Sequence, residues 1–213
     1  TKRVANGPTD RGFDYFYGLT SPSGPPHLYM VNDMAEKQPN TRFEESGGGL
    51  YKIKGGIGHS DWSADGMQPH LADKMLEYLD ENKDSDKPFF LYMALTAPHI
   101  PLFPSKEFKG KSKIGDYGDL VMMIDDIVGR VNRKLKEIGK YDNTIVMFAA
   151  DNGCAGYINM DRINRKGHYP SYIYRGYKSH GWEGGHRIPF ILSWGDRYGH
   201  VTDNSLVSLT DLY

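Results

Sequence analysis

The apolar positions of this chain fall into two kinds of pattern. Three are unbroken runs, at 89–95, 144–150 and 188–194. Runs of β-branched and aromatic residues without polar alternation predict strands buried on both faces, as in the middle of a mostly parallel sheet. The other kind is helical. Within 68–83, Leu71, Met75, Leu76 and Leu79 recur at spacings of three and four, with charges between them. Within 115–139, Leu120, Val121, Ile124, Ile127, Val128, Val131, Leu135 and Ile138 fall on one broad face, and Gly139 supplies a stop. Strands alternating with helices or long loops predict an α/β fold: a mixed, largely parallel central sheet flanked by helices.

Between these elements the pattern is that of loops. Residues 1–34 surround the aromatic patch 12–18, and the proline-rich 21–26 continues neither a helix nor a central strand. Residues 35–66 are polar and rich in glycine, and predict a long excursion that is mobile or lines a pocket. No internal repeat or Pro/Gly linker divides the chain, so 1–213 reads as one domain. The last residues run into an element without a stop signal, and the first is Thr1. The domain is therefore expected to be truncated at both ends.

Composition narrows the function classes. Of 213 residues, 38% are hydrophobic and 25% charged, with a formal net charge of −1. That balance gives no reason to expect a nucleic-acid or membrane partner. No segment has the length and apolarity of a transmembrane helix, and no signal-peptide pattern is present. The single cysteine, Cys154, excludes an intrachain disulfide and says little about compartment.

Candidate chemistry sits where the apolar runs end. The run at 144–150 stops at Asp151-Asn152-Gly153, where a strand leaves the sheet, the usual address of a ligand site in open α/β sheets. Both side chains offer oxygen ligands of the kind that hard cations prefer. Asn-Gly is equally a strong turn signal, so turn and cation site both stand on these residues alone. The run at 89–95 ends in Thr96-Ala97-Pro98-His99-Ile100-Pro101, where two prolines bracket a histidine that is either a structural donor or a catalytic group. Before the third run lies a glycine-rich loop, 175–187, containing Lys178, His180, Glu183 and Arg187. Asp125-Asp126 lies within the second helical pattern. Neighbouring helix positions point about 100° apart, so this pair reads as solvated or locally paired.

Taken in order, these segments resemble the type I sulfatases of the alkaline phosphatase superfamily. The residues carrying the resemblance are Gly12-Phe13-Asp14-Tyr15-Phe16-Tyr17-Gly18, Pro88-Phe89-Phe90-Leu91-Tyr92 with Ala97-Pro98-His99-x-Pro101, and Tyr117 through Asp125-Asp126-x-Val128-Gly129. Asn143-Thr144-Ile145-Val146 through Asp151-Asn152-Gly153 follows, with Ala150 where the family usually has Ser. Then come Arg175-Gly176-x-Lys178 with Glu183-Gly184-Gly185-x-Arg187-x-Pro189, and Leu209-Thr210-Asp211-Leu212-Tyr213. The resemblance implies that Asp151 and Asn152 are metal ligands, for Ca²⁺ in most members, with Mg²⁺ as the alternative. It implies that His99 contacts the sulfate group, and that Lys178 binds sulfate and assists the leaving oxygen. Glu183, Arg187 and the glycine pair are expected to shape the lysine loop. Ser21, Ser23 and His180 are candidate pocket residues.

The resemblance also marks what this sequence lacks. The family's nucleophile is a formylglycine made from a Cys or Ser in a C/S-x-P-x-R motif, and no such motif occurs here. Cys154, followed by Ala155-Gly156-Tyr157, does not fit it. The motif, two further metal aspartates and a Gly-Lys-Trp-His segment are expected upstream of Thr1. The implied activity is that of a sulfuric ester hydrolase acting on an aryl or carbohydrate sulfate, with this chain inactive alone. A phosphodiesterase or phosphonate hydrolase of the same superfamily, and a non-catalytic domain binding sulfated glycans, are the alternatives. A bare sheet edge is expected to promote self-association, and the family implies a secreted, periplasmic or lysosomal location.

Overall fold

A computed structural model describes residues 3–21 and 24–212. The chain opens with a small antiparallel sheet of β1 (Tyr17–Gly18), β2 (Met30–Val31) and β3 (Met34–Ala35). The excursion that follows is ordered by pairing. β4 (Thr41–Phe43) and β5 (Gly56–Gly58) form an antiparallel ladder, and Ser46 and Ile53 extend it. Phe43, Trp62 and the buried His27 pack ring against ring beside that ladder. Ile53, Trp62 and Ala64 line a crevice, so the pocket-lining alternative describes this segment.

Both helical patterns form helices. α1 spans Met67–Glu81 and α2 spans Asp116–Glu137. Gly139, with φ +69°, ends α2 as expected for a left-handed terminator. Their contact is the core: Ala72 of α1 meets Leu120, Met123 and Ile127 of α2, with Leu102 alongside. The buried stripe of α1 runs through Gln68, Ala72, Met75 and Leu79, so it is rotated from the leucine-centred face predicted. The small Ala72 allows close helix approach, whereas Leu71 and Leu76 stay half exposed. Asp119 is wholly buried. Its carboxylate accepts backbone hydrogen bonds from Gly110 (2.7 Å) and Ser112 (2.6 Å), which anchors the loop before α2. Asp125 is exposed and Asp126 faces Arg133 at 3.4 Å, as a locally paired acidic feature would.

The strands depart from expectation in three ways. β6 (Ile145–Ala149) pairs with β7 (Phe190–Trp194), and the pairing is antiparallel over five residue pairs. Every ladder among the described residues is antiparallel, so the α/β class holds while the largely parallel arrangement is absent from this part of the chain. The run at 89–95 is extended but joins no ladder. Met93 and Leu95 face the helical core, and the alternate residues Phe90 and Tyr92 are 78% and 70% exposed. Finally, β6 is not buried on both faces. Ile145 and Met147 are 44% and 47% exposed, because only one neighbouring strand and no helix cover that side. α3 (Met160–Asn164) and the single turn α4 (Glu183–His186) complete the elements that bear on the site. No helix among the described residues is long and apolar enough to cross a membrane.

Candidate functional site

Three chain segments meet at the end of β6. The first is the strand exit itself. Asp151 is exposed and Asn152 half buried, and the Asn152 amide donates to Gly153 O at 3.0 Å. That leaves Asn152 Oδ1 and both Asp151 oxygens without a protein partner among the described residues.

The second segment is the lysine loop. Gly153 N donates to Gly185 O (2.8 Å), Lys178 N to Cys154 O (2.8 Å), and Gly184 N to Arg175 O (2.9 Å). Glycine is required here by close backbone approach. A Cβ on Gly153 would lie 2.0 Å from Gly184 O, and one on Gly184 would lie 2.2 Å from Gly176 O. Outside this knot, Arg175 lies 3.9 Å over the Trp182 ring, Arg187 lies 4.7 Å over Tyr174, and Arg187 pairs with Glu183 at 3.1 Å. These charges are engaged with one another and hold the loop shape. Lys178 is half buried, and its ammonium has no hydrogen bond or ion pair among the described residues. Ser179, the next residue, is left-handed at φ +74°. For a non-glycine residue that conformation costs about 1 kcal/mol. The cost is held in place by the turn bond from His180 N to Tyr177 O (2.9 Å).

The third segment is the histidine turn. His99 is exposed, its backbone N–H donates to Thr96 O (3.0 Å), and its Nδ1 lies 2.7 Å from Ile100 O. A carbonyl can only accept, so Nδ1–H is the donor, and Nε2 is left to face a ligand. The ring meets Tyr157 edge-on, 6.4 Å between centroids. Tyr157 follows Gly156, whose backbone lies against the Tyr177 ring. The fold therefore links His99 to the strand exit through Tyr157, and Lys178 to it through Cys154.

Asp151, Asn152, Lys178 and His99 thus lie on segments that contact one another around the end of β6. An ammonium and an imidazole N–H can receive an anion, and two oxygen-bearing side chains can supply part of a cation's coordination shell. They do not make a whole metal site. Among the described residues no three His, Cys, Asp or Glu side chains cluster to hold an ion. Ca²⁺ takes roughly six to eight oxygens, so Asp151 and Asn152 fit a hard cation only as part of a larger set.

The remaining pocket candidates divide. Ser21 lines the crevice with His27, Trp62 and Pro101, and its hydroxyl accepts from Gly24 N. His180 packs on Tyr177, 4.1 Å between centroids. Ser23 lies outside the described residues. Sequence reasoning missed Tyr117 and Gln68. The Tyr117 hydroxyl lies 3.4 Å from Cys154 Sγ, and burial pushes both groups' pKa values up, which keeps the thiol protonated and inert. Gln68 is a polar residue on the buried stripe of α1, and that placement was the signal available.

Comparisons with known proteins agree on one family. A sulfatase family profile matches residues 3–213. An N-acetylgalactosamine-6-O-sulfatase from Bacteroides thetaiotaomicron is 33% identical over 155 residues, covering 71% of this chain and 30% of its own length. An arylsulfatase from Hemicentrotus pulcherrimus is 35% identical, covering 69% of this chain and 25% of its own length. Among solved structures, a sulfatase from the glycosaminoglycan-metabolism locus of Bacteroides thetaiotaomicron superposes with a TM-score of 0.75 at 25% identity. The match covers 91% of this chain and 48% of that one. A sulfatase from Pseudoalteromonas gives 0.66 at 27% identity, covering 89% and 39%. The chain spans a third or less of the length of these curated relatives. It belongs to the sulfatase family, with that family's α/β fold.

Proposed function

We propose that this chain carries the sulfate-binding half of a sulfuric ester hydrolase, which acts on an aryl or carbohydrate sulfate. The reading is supported by three side chains carried on segments tied to one strand exit: Asp151 at the exit itself, Lys178 through the backbone bond to Cys154 O, and His99 through the Tyr157 ring. Membership of the sulfatase family supports it, as do relatives named for sulfate esters.

Sulfuryl transfer builds negative charge on the peripheral oxygens and on the oxygen that leaves. In this reading Lys178 approaches the bridging oxygen and donates a proton as the S–O bond breaks. Its ordered backbone, tied to Cys154 and followed by the strained Ser179, fixes where the ammonium points. His99 faces the sulfate and, protonated at Nε2, donates a hydrogen bond to one of its oxygens. Asp151 and Asn152 supply two of the oxygens that hold a Ca²⁺ or Mg²⁺ ion. Such an ion, when bound, would polarise the sulfuryl oxygens. The nucleophile, a formylglycine in this reading, and the remaining metal carboxylates are not among the residues of this chain. A secreted or periplasmic location fits the same reading.

The test is to express the natural reading frame that contains this chain. It is assayed against 4-nitrophenyl sulfate, N-acetylgalactosamine 6-sulfate and bis(4-nitrophenyl) phosphate, with and without EDTA. Turnover of a sulfate ester that EDTA abolishes is the expected result. Faster turnover of the phosphodiester would assign a phosphodiesterase instead. Binding of a sulfated glycan without turnover of any ester would assign a non-catalytic domain.

A further inference from the structure

The turn that carries His99 has few backbone donors of its own, its main outside tie being Leu102 N to Leu50 O (2.8 Å) just beyond it. Pro98 and Pro101 have no N–H to donate. The extended segment leading into the turn joins no ladder that could hold it. One side chain compensates. Gln68, in the first turn of α1, is 3% exposed, and its Nε2 donates a short hydrogen bond to Thr96 Oγ1. Thr96 O in turn accepts the His99 backbone N–H at 3.0 Å. Gln68 Oε1 is buried with no protein partner among the described residues. Gln68 and His99 both line a narrow crevice, beside Thr96, Met67, Phe103 and Leu120. A buried amide with one end unpartnered is costly at a position where packing alone would be served by an apolar residue.

We propose that Gln68 is a positioning residue for His99. Through the Thr96 hydroxyl it ties the histidine turn to the helical layer, so that Nε2 is aimed before substrate arrives. This rests on the sulfate-contacting role given to His99 above. Pre-aimed groups matter because an error of about 1 Å in a reacting group can cost on the order of a hundredfold in rate.

A double-mutant cycle in the natural reading frame tests it. The variants are His99→Ala, Gln68→Leu, Thr96→Val, Thr96→Ser and Gln68→Leu with His99→Ala. The readouts are kcat and KM for the sulfate ester turned over in the panel above, and the inhibition constant of inorganic sulfate. Gln68→Leu and Thr96→Val should each lower kcat/KM about tenfold and weaken sulfate inhibition, while Thr96→Ser stays within about twofold. Added to His99→Ala, Gln68→Leu should cost no more than about twofold, because its effect runs through an imidazole already removed. Thr96→Val, nearly isosteric, carries the test if Gln68→Leu fails to fold. Losses that multiply fully in the double variant, or a Gln68→Leu enzyme as active as wild type, would overturn the proposal. If His99→Ala itself changes neither turnover nor sulfate inhibition, the role of His99 falls first, and the two failures are told apart.

Discussion

Leu120, Met123 and Ile127 of α2 are almost wholly buried against Ala72 of α1. Ile145 and Met147 of β6 and Ile191 of β7 are equally apolar, yet they stand 44%, 47% and 61% exposed. The helical layer closes its core by packing α1 against α2, with Leu102, from the segment between them, alongside. The two-stranded sheet bears the candidate site at its end and buries only part of each face. Stability is thus concentrated in one region and candidate chemistry in the other. A substitution should affect folding or turnover according to which region it falls in.

The largest expected effect is at Lys178. Lys178→Ala in the natural reading frame should lower kcat/KM by about a thousandfold, or roughly 4 kcal/mol of transition-state stabilisation. The melting temperature should change little, since the ammonium has no hydrogen bond or ion pair among the described residues. A loss of turnover matched by an equal loss of folded protein would break the division between regions. The converse is Leu120→Ala, which opens a cavity against Ala72 and Met123 and should cost about 3 kcal/mol in chemical denaturation. Turnover per folded molecule should then stay within a few-fold of wild type.

Gly184→Ala sits where the regions' rules overlap. Its new Cβ would collide with Gly176 O and Arg175 O, which are rigid backbone rather than yielding side chain. The expected outcome is a destabilisation of about 2 kcal/mol together with loss of turnover, because the same backbone contacts set the position of Lys178. A normal kcat/KM in that variant would show that the lysine loop tolerates displacement.

How much of this was legible in the sequence follows the same division. α1 and α2 were readable because a 3.6-residue period is a local property that each helix displays alone. The stop at Gly139 was readable because a left-handed terminator favours one residue type. The strand runs were misread in burial and pairing. An apolar run of five to seven residues carries no record of its partners, and 89–95 looks the same whether or not a ladder forms beside it. His99, the Asp151-Asn152 pair and Lys178 lie about 25 to 80 positions apart along the chain. No spacing rule joins them, and their juxtaposition emerges only from the Gly153–Gly185, Cys154–Lys178 and His99–Tyr157 contacts. Gln68 shows the opposite case. A polar residue on an apolar helical stripe was visible, but its partner Thr96, 28 positions away, was not.

Ile191 offers a smaller and more pointed comparison. In the 213-residue chain, Ile191→Ser should change stability by less than about 0.5 kcal/mol, since the side chain is mostly in water already. It should also reduce self-association measured by light scattering, because an apolar side chain is removed from an open sheet face. A stability loss near that of Leu120→Ala would mean that the face is covered in solution.

The smallest expected effect separates the helical layer from its surface. His70 of α1 is half buried between the Tyr29 ring, 4.1 Å between centroids, and the Tyr17 hydroxyl, 2.7 Å from Nε2. Burial is the main cause holding its pKa below the usual imidazole value. Lys74 acts in the same direction, and Glu36, Asp73 and Asp61 oppose it. The folded state therefore prefers neutral His70, while the unfolded chain protonates it near pH 6.5. Its contribution to stability is complete above that pH. It declines as pH falls through about 6.5 and levels off once the folded-state pKa is passed. Urea midpoints measured from pH 8 to pH 5 should fall at the acid end in wild type, and less steeply in His70→Gln. Because the single Tyr17 hydroxyl proton goes to Glu36 at 2.8 Å, the glutamine amide N–H must donate to the Tyr17 oxygen in place of the imidazole. Equal slopes in the two proteins would place the acid sensitivity elsewhere, with the carboxylates of the surface ion pairs as the next groups to test.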